Sequence, residues 1–274
     1  MKTDFQVIFW GVRGSIPVPG PDTLQYGGNT SCVQVQIKDR LFIFDAGSGI
    51  YKLGQKLVKT AKPLSGDIFI SHTHWDHIQG FPFFAPAYKK ENSFRIYGPT
   101  FKGSNFADIM SGQMHYHYFP VSLEKMGAIF TFRELESGDT LELGDGIRVT
   151  TTLNNHPNGG LSYRLDYGGR SCCYVTDYEH FPKINQGLCN FVKGSDLLIY
   201  DSSFTDEEYP SYIGYGHSTW QEGIKLMETA EAKKLILFHH ADFRSDIEME
   251  KIEKTAQARN ANCLAAREGM VINL

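Results

Sequence analysis

The sequence predicts an α/β protein in which one sheet packs on another and helices cover the outside, within a single domain spanning residues 1–274. Three observations carry this. Short strand-like runs with alternating apolar residues recur along the whole chain, bounded by glycine-containing turns. Runs with helical spacing are few and fall between or beside those strands. The 274 residues, 41% of them hydrophobic, permit one large domain or two small ones, and no low-complexity linker divides them.

Residues 5–10 read as the first strand. Val33, Val35 and Ile37 alternate in the second, and 41–44 form the third. Asp45-Ala46-Gly47-Ser48-Gly49 then breaks it sharply, glycine being the residue for a tight backbone turn. Ile50, Leu53 and Leu57 are spaced i, i+3, i+7, as an amphipathic helix requires. A strand over 67–70 follows. Residues 82–127 are the least regular part, rich in aromatics such as Phe83, Phe84, Tyr88, Tyr116, Tyr118 and Phe119. His115 and His117 flank Tyr116 there; they read equally as substrate contacts or as neutral packing, and are not taken as ligands.

Strands resume at 128–132, 147–153, 161–167 and 171–176, with Gly144-Asp145-Gly146 and Gly168-Gly169 as hairpin turn signals. A short buried strand over 197–200 ends at Asp201. Ser218-Thr219-Trp220-Gln221 matches a capping box with Ser218 as N-cap, and Trp220, Ile224 and Met227 form the inner face of the helix it starts. Leu235–Phe238 is another strand, running into His239-His240. Met249, Ile252 and Ala256 mark the last helix, and 270–272 a closing strand.

Composition narrows the setting. No stretch approaches the ~20 apolar residues of a membrane span. A strand beginning so near Met1 leaves no room for a signal peptide, so a cytoplasmic location is expected. The five cysteines (Cys32, Cys172, Cys173, Cys189, Cys263) are an odd set without a C-x-x-C pair, expected to be reduced and mostly structural. A formal charge of −4 argues against an extended nucleic-acid surface. Lys52, Lys56, Lys59 and Lys62 read as the solvated face of one helix and its exit. A homodimer is compatible with the sequence and not required by it.

The most telling run is Ser71-His72-Thr73-His74-Trp75-Asp76-His77. Three imidazoles and a carboxylate packed this closely, just after apolar Ile68-Phe69-Ile70, point to metal ligands at a sheet edge. Neutral imidazole and carboxylate suit Zn²⁺ and related cations. His72 and His74 would point the same way from an extended stretch, since side chains repeat every second residue. Asp76 and His77 turn to the other side of the bend, where a second ion could sit. A two-metal site needs more ligands than one loop gives, and His156, Asp177 and His239 each follow a predicted buried strand.

With these residues the chain resembles the metallo-β-lactamase fold hydrolases, whose mark is H-x-H-x-D-H followed by a downstream His, Asp and His. The match runs from Gly11-Val12-Arg13-Gly14-Ser15 through the last strand. The resemblance implies a four-layer αββα sandwich of two mainly antiparallel sheets, with two divalent ions at one sheet edge. The first ion would take His72, His74 and His156; the second would take Asp76, His77 and His239, with Asp177 bridging. His240 is the alternative to His239, which is preferred as the first residue after the buried run. Zinc is the first expectation for the metal, with manganese or iron as alternatives. Two divalent cations set against Asp76, Asp177 and a bridging hydroxide leave the site about one unit positive, attractive to an anionic phosphodiester.

Gly216-His217-Ser218-Thr219 resembles the His-Ser-Thr motif of the tRNA 3′-processing endoribonucleases and related small phosphodiesterases. That resemblance implies that His217 enters the site beside Asp76 and protonates the leaving oxygen, so Asp76 and His217 are the expected catalytic pair. Asp45 resembles the family's aspartate that orients a metal-binding histidine. Tyr26-Gly27-Gly28-Asn29-Thr30-Ser31 reads either as a source of backbone amides for a ligand or as a hairpin turn, and Glu179 and His180 as pocket-lining residues. The endoribonucleases carry a long tRNA-gripping arm between the third His and the bridging Asp, whereas few residues separate His156 from Asp177 here. A small cyclic nucleotide or cyclic phosphate, hydrolysed by a metal-bridging hydroxide, is therefore the expected substrate. The aromatic segment 82–127 would stack on its base or ribose. tRNA 3′-end cleavage is the second reading, and lactam or thioester hydrolysis the third; His217 argues against the last.

Overall fold

The computed structural model describes residues 4–60 and 62–274. Along the chain run β1 (Phe5–Gly11), β2 (Cys32–Ile37), β3 (Arg40–Phe44), α1 (Ile50–Leu57), β4 (Ser65–Phe69) and α2 (Trp75–Ile78). Then come β5 (Ser93–Pro99), α3 (Phe106–Gly112), β6 (Ile129–Leu135), β7 (Thr140–Glu142), β8 (Arg148–Leu153), β9 (Leu161–Tyr167) and β10 (Arg170–Val175). The remainder comprises α4 (Gln186–Val192), β11 (Leu197–Asp201), α5 (Trp220–Thr229), β12 (Leu235–Phe238), α6 (Asp246–Arg259), β13 (Cys263–Ala265) and β14 (Val271–Asn273). These strands build two seven-stranded sheets, ordered β14-β1-β2-β3-β4-β5-β6 and β13-β12-β11-β10-β9-β8-β7.

Side-chain alternation explains the layers. Phe42 and Phe44 of β3 face inward and meet Tyr163, Cys172 and Tyr174 of the second sheet in a buried inter-sheet core. The alternate residues Leu41 and Ile43 face outward and bury Ile50 and Leu53 of α1 with Phe106 and Met110 of α3. On the second sheet, Cys173, Val175, Leu198 and Leu237 pack against Leu188, Trp220, Ile224 and Met249 from α4, α5 and α6. Both faces of the central strands are thus apolar, which is why β3 and β11 read as nearly continuous hydrophobic runs. The expected four-layer αββα sandwich is the architecture observed.

The pairing pattern differs from the expectation of mainly antiparallel sheets. In the first sheet β3, β4, β5 and β6 run parallel, and in the second β10 to β13 do. Each sheet is antiparallel only on its other side. Parallel neighbours need crossovers, and α1 to α6 lie one in each of the six, while side-chain period cannot report strand direction. The consequence is functional: the parallel strands β3, β4, β10, β11 and β12 deliver their C-terminal ends to one edge, where ligand sites form in such sheets.

Two elements fall inside the region read as irregular. β5 and α3 occupy part of 82–127, with Phe94 and Ile96 of β5 and Phe106 and Met110 of α3 in the outer core. All five cysteines are buried and free, as expected. Lys52 pairs with Glu268 and Lys56 lies over the Trp10 ring, consistent with a solvated helix face. Among the described residues, no helix is long and apolar enough to cross a membrane.

Candidate metal centre

Asp45 organises the turn that carries the histidine run. It follows β3 in the left-handed region (φ 59°) and is fully buried. Its carboxylate accepts from the Ser71 amide at 2.7 Å, the Ser71 hydroxyl at 2.8 Å and the Tyr174 hydroxyl at 2.7 Å. It also lies 2.7 Å from His77 Nδ1, fixing the tautomer that leaves Nε2 free to coordinate. The chain turns through α2, and Asp76 Oδ2 accepts from the Ser15 amide at 2.8 Å.

The second sheet meets this turn from its strand ends. Asp177 follows β10 and His239 follows β12, both with positive φ (51° and 60°). Such backbone costs roughly 1–3 kcal/mol per residue and persists only where the surroundings enforce it. Ligand atoms of His72, His74 and His156 lie within 4.8 Å of one another, and so do those of Asp76, His77, Asp177 and His239. Asp177 spans both groups: its carboxylate is 3.7 Å from His72 Nε2, 3.1 Å from His77 Nε2 and 3.4 Å from His239 Nε2.

The donor set fits two divalent cations. The Nε2 atoms of His72 and His77 are buried and make no hydrogen bond, although His77 Nε2 has carboxylates close by. Those contacts have the distance but not the direction of hydrogen bonds, as expected of atoms aimed at a shared cation. The other ring nitrogen is engaged in His72 by Ser71 Oγ, in His156 by the Gly216 carbonyl at 2.9 Å, and in His239 by Ser203 Oγ at 3.1 Å. His74 Nδ1 and His156 Nε2 stand 3.0 Å apart. Nitrogen and carboxylate donors of this kind suit zinc, manganese or iron.

Electrostatics divides the centre in two. Burial lowers the pKa values of His72, His74 and His156, keeping them neutral lone-pair donors. Burial also opposes protonation of His77, but Asp177, Asp76 and Asp45 outweigh it and raise its pKa. Burial would raise Asp76 and Asp177, yet the surrounding imidazoles, His77 and His239 among them, hold both carboxyls well below the usual range. Both acids are therefore ionised and available as ligands.

A family model described as "Beta-lactamase superfamily domain" matches residues 40–240 of this chain. The chain belongs to the β-lactamase superfamily. Its fold is that of the metallo-β-lactamase fold protein YhfI from Bacillus subtilis, with a TM-score of 0.72 at 19% identity, covering 99% of each chain. The short form of human tRNase Z superposes with a TM-score of 0.70 at 20% identity, covering 97% of this chain and 98% of that one. In sequence, the ribonuclease Z of Thermoplasma volcanium is 24% identical across 90% of both chains, and that of Methanosarcina acetivorans 25% across 98% of both. This superfamily member is accordingly a metal-dependent hydrolase.

One site residue of this superfamily member escapes sequence reasoning. Asp201, the last residue of β11, is buried and accepts from His217 Nδ1 at 2.8 Å. Asp177, Asp201, His217 and His239 form a third group of converging donors. Burial disfavours a charged His217, but Asp201 outweighs it and lifts the pKa to about 9. The signal was present, since Asp201 ends a buried strand as Asp177 and His239 nearly do.

Other expectations are redrawn. Ser218 does not cap α5: Thr219 does, its hydroxyl accepting from the Glu222 amide, while Ser218 Oγ meets His180 Nδ1 at 2.9 Å and Tyr200. His240 turns away and donates through Nε2 to the Ala266 carbonyl, leaving His239 at the centre. Glu179 and His180 hold the loop before His217: Glu179 accepts from Tyr209, Gly214 and Gly216, and His180 packs on Tyr209. The amides of Tyr26 and Asn29 are taken by Asp246 and Glu268 and those of Gly27 and Thr30 by Thr23 and Ser48, so these four serve packing rather than a ligand. His115 and His117 are exposed and contact each other and neighbouring tyrosines. The rings beside His217 come from Phe204 and the loop after it rather than from 82–127.

Proposed function

We propose that this chain hydrolyses phosphodiesters, with a small cyclic nucleotide or cyclic phosphate as its substrate. The observation that carries the reading is His217, held by Asp201 and standing 3.9 Å from Asp177, beside both groups of metal-type ligands. A thioester's thiolate leaves without a proton, whereas a diester's alkoxide needs one, so a positioned proton donor there favours the diester. His72, His74 and His156 would hold one divalent ion, Asp76, His77 and His239 the other, with Asp177 between them. Such ions supply Lewis-acid charge to the phosphoryl oxygens and an activated water near neutral pH.

The chain's own groups do the rest. Asp201 engages His217 Nδ1, so Nε2 carries the proton that passes to the leaving oxygen. Asp76, steadied by the Ser15 amide, accepts a hydrogen bond from the attacking water. Asp45 keeps His77 in one tautomer and one orientation.

tRNA 3′-end cleavage is the second reading, favoured by the ribonuclease Z relatives, whose likeness covers nearly the whole chain. These relatives weaken the expectation that an extended nucleic acid is excluded. Against it, the interval between His156 and Asp177 is filled by the β9–β10 hairpin, which leaves no long arm there. The deciding experiment assays the zinc- or manganese-loaded protein on 3′,5′- and 2′,3′-cyclic mononucleotides, cyclic dinucleotides, a precursor tRNA, a lactam and a thioester. Turnover of a cyclic mononucleotide supports the first reading. Turnover of the precursor alone reverses the order, and hydrolysis of a lactam or thioester but no diester removes both.

A further inference from the structure

Beside the centre lies a second space of about 220 Å³, with His217 and His239 in its lining. The rest of its lining is dominated by rings. Phe204 and Tyr212 stack at 4.1 Å and 11°, Tyr215 meets Tyr212 edge-on at 5.6 Å, and Phe243 is nearly parallel to Tyr212 at 6.5 Å and 18°. Tyr215 and Phe243 nonetheless keep 63% and 51% of their surfaces in solvent. Contiguous exposed aromatic surface opening onto a polar centre is the character of a ligand site.

The wall is built rather than loose. Glu179 accepts from Tyr209 Oη at 3.0 Å and from the amides of Gly214 and Gly216 at 2.7 and 2.9 Å, pinning the loop that carries Tyr212 and Tyr215. Arg244 pairs with Glu208, and its carbonyl oxygen accepts from the buried Arg13 guanidinium, fixing the segment that carries Phe243. The volume lies below the ~300 Å³ typical of sites for drug-sized ligands, so the space suits one ring system rather than an oligonucleotide. Asp242, exposed on the same lining, brings a carboxylate that accepts N–H donors and repels further phosphates.

We infer that this cavity is a nucleobase subsite, receiving the base of the diester whose phosphate meets His217. The inference rests on the phosphodiesterase reading and narrows it to nucleotide diesters with an unpaired base. Flat rings stack on aromatic faces whichever base is offered, and the Asp242 carboxylate then favours a base edge bearing N–H groups, guanine foremost. The base belongs to a cyclic mononucleotide or to the terminal residue of an RNA.

The test compares the zinc-loaded full chain with Phe243→Ala, Tyr215→Ala and Phe243→Trp. Guanosine monophosphate binding is measured by calorimetry, and kinetics on cyclic guanosine monophosphate, on base-free glycerol cyclic phosphate and on a short single-stranded RNA. Loss of one stack should weaken nucleotide binding about tenfold and raise KM for the cyclic nucleotide equally, with kcat held within about twofold. Phe243→Trp should restore both, and the glycerol diester should be unaffected. An effect confined to the RNA supports the subsite and assigns the base to a chain end. Equal effects on glycerol diester and nucleotide, or no effect on nucleotide binding and on any of the three substrates, overturn the inference. Should the wild-type protein cleave no diester at all, the phosphodiesterase reading falls, while the calorimetric comparison still decides the subsite.

Discussion

From the first sheet, His72, His74, Asp76 and His77 arrive together on one turn, whereas the second sheet sends His156, Asp177, Asp201 and His239 singly from separate strand ends. The crowded turn is oriented from outside, chiefly by Asp45. The scattered residues draw on separate supports: the Gly216 carbonyl for His156, Thr176 Oγ1 at 2.6 Å for Asp177, and Ser203 for both His239 and Asp201. Local density on one side is matched by many separate tertiary contacts on the other. The crowded half should therefore fail as a unit, and the scattered half one residue at a time.

Asp177→Asn offers the strongest way to break this contrast, because its carboxylate reaches both groups. Losing several kcal/mol of charge stabilisation predicts about a thousandfold loss of diester turnover. Metal analysis should show fewer than the wild-type complement of ions; unchanged stoichiometry would remove Asp177 from its bridging place. His217→Ala comes next, with a loss of ~10²–10⁴-fold on a poor leaving group and much less on p-nitrophenolate. With the His217 pKa lifted to about 9, the proton donor is loaded at neutral pH and lost as pH rises through that value. Asp201→Asn should bring this alkaline limb down toward 6.5, the ordinary histidine value, readable in a pH–rate profile.

Asp45→Asn sharpens the comparison on the crowded side. It removes one outside support from the whole turn, and ~10–100-fold weaker metal affinity is expected by competition with a chelator. The smallest effect belongs to Thr219→Ala, which deletes the cap of α5 and should cost ~1 kcal/mol of stability in a urea titration. Its metal content should stay unchanged, since the capping hydroxyl lies outside the ligand groups.

Legibility followed the same division. The 72–77 run was readable because four ligand-type residues in so short a span are unusual, and the strand-end rule picked out His156, Asp177 and His239, whose donor atoms converge with it. Asp201 obeyed that rule as well, but a lone acid after a strand looks like a turn residue until His217 is seen 2.8 Å away. β5 went unread because its apolar positions are few and set among aromatics. Strand direction was invisible because alternation is the same in parallel and antiparallel strands. Ser218 and Thr219 are adjacent hydroxyls, and only the backbone geometry at Thr219 decides which one caps.

Gly216 has a reach beyond its size. Its backbone is left-handed (φ +88°), and a β-carbon there would come within 2.1 Å of His156 Nδ1. Its carbonyl steadies that imidazole, while the same few residues carry Tyr212 and Tyr215 into the neighbouring cavity. Grip and reactivity thus share one hinge pin, so refitting the loop to a new guest would also disturb the imidazole it steadies.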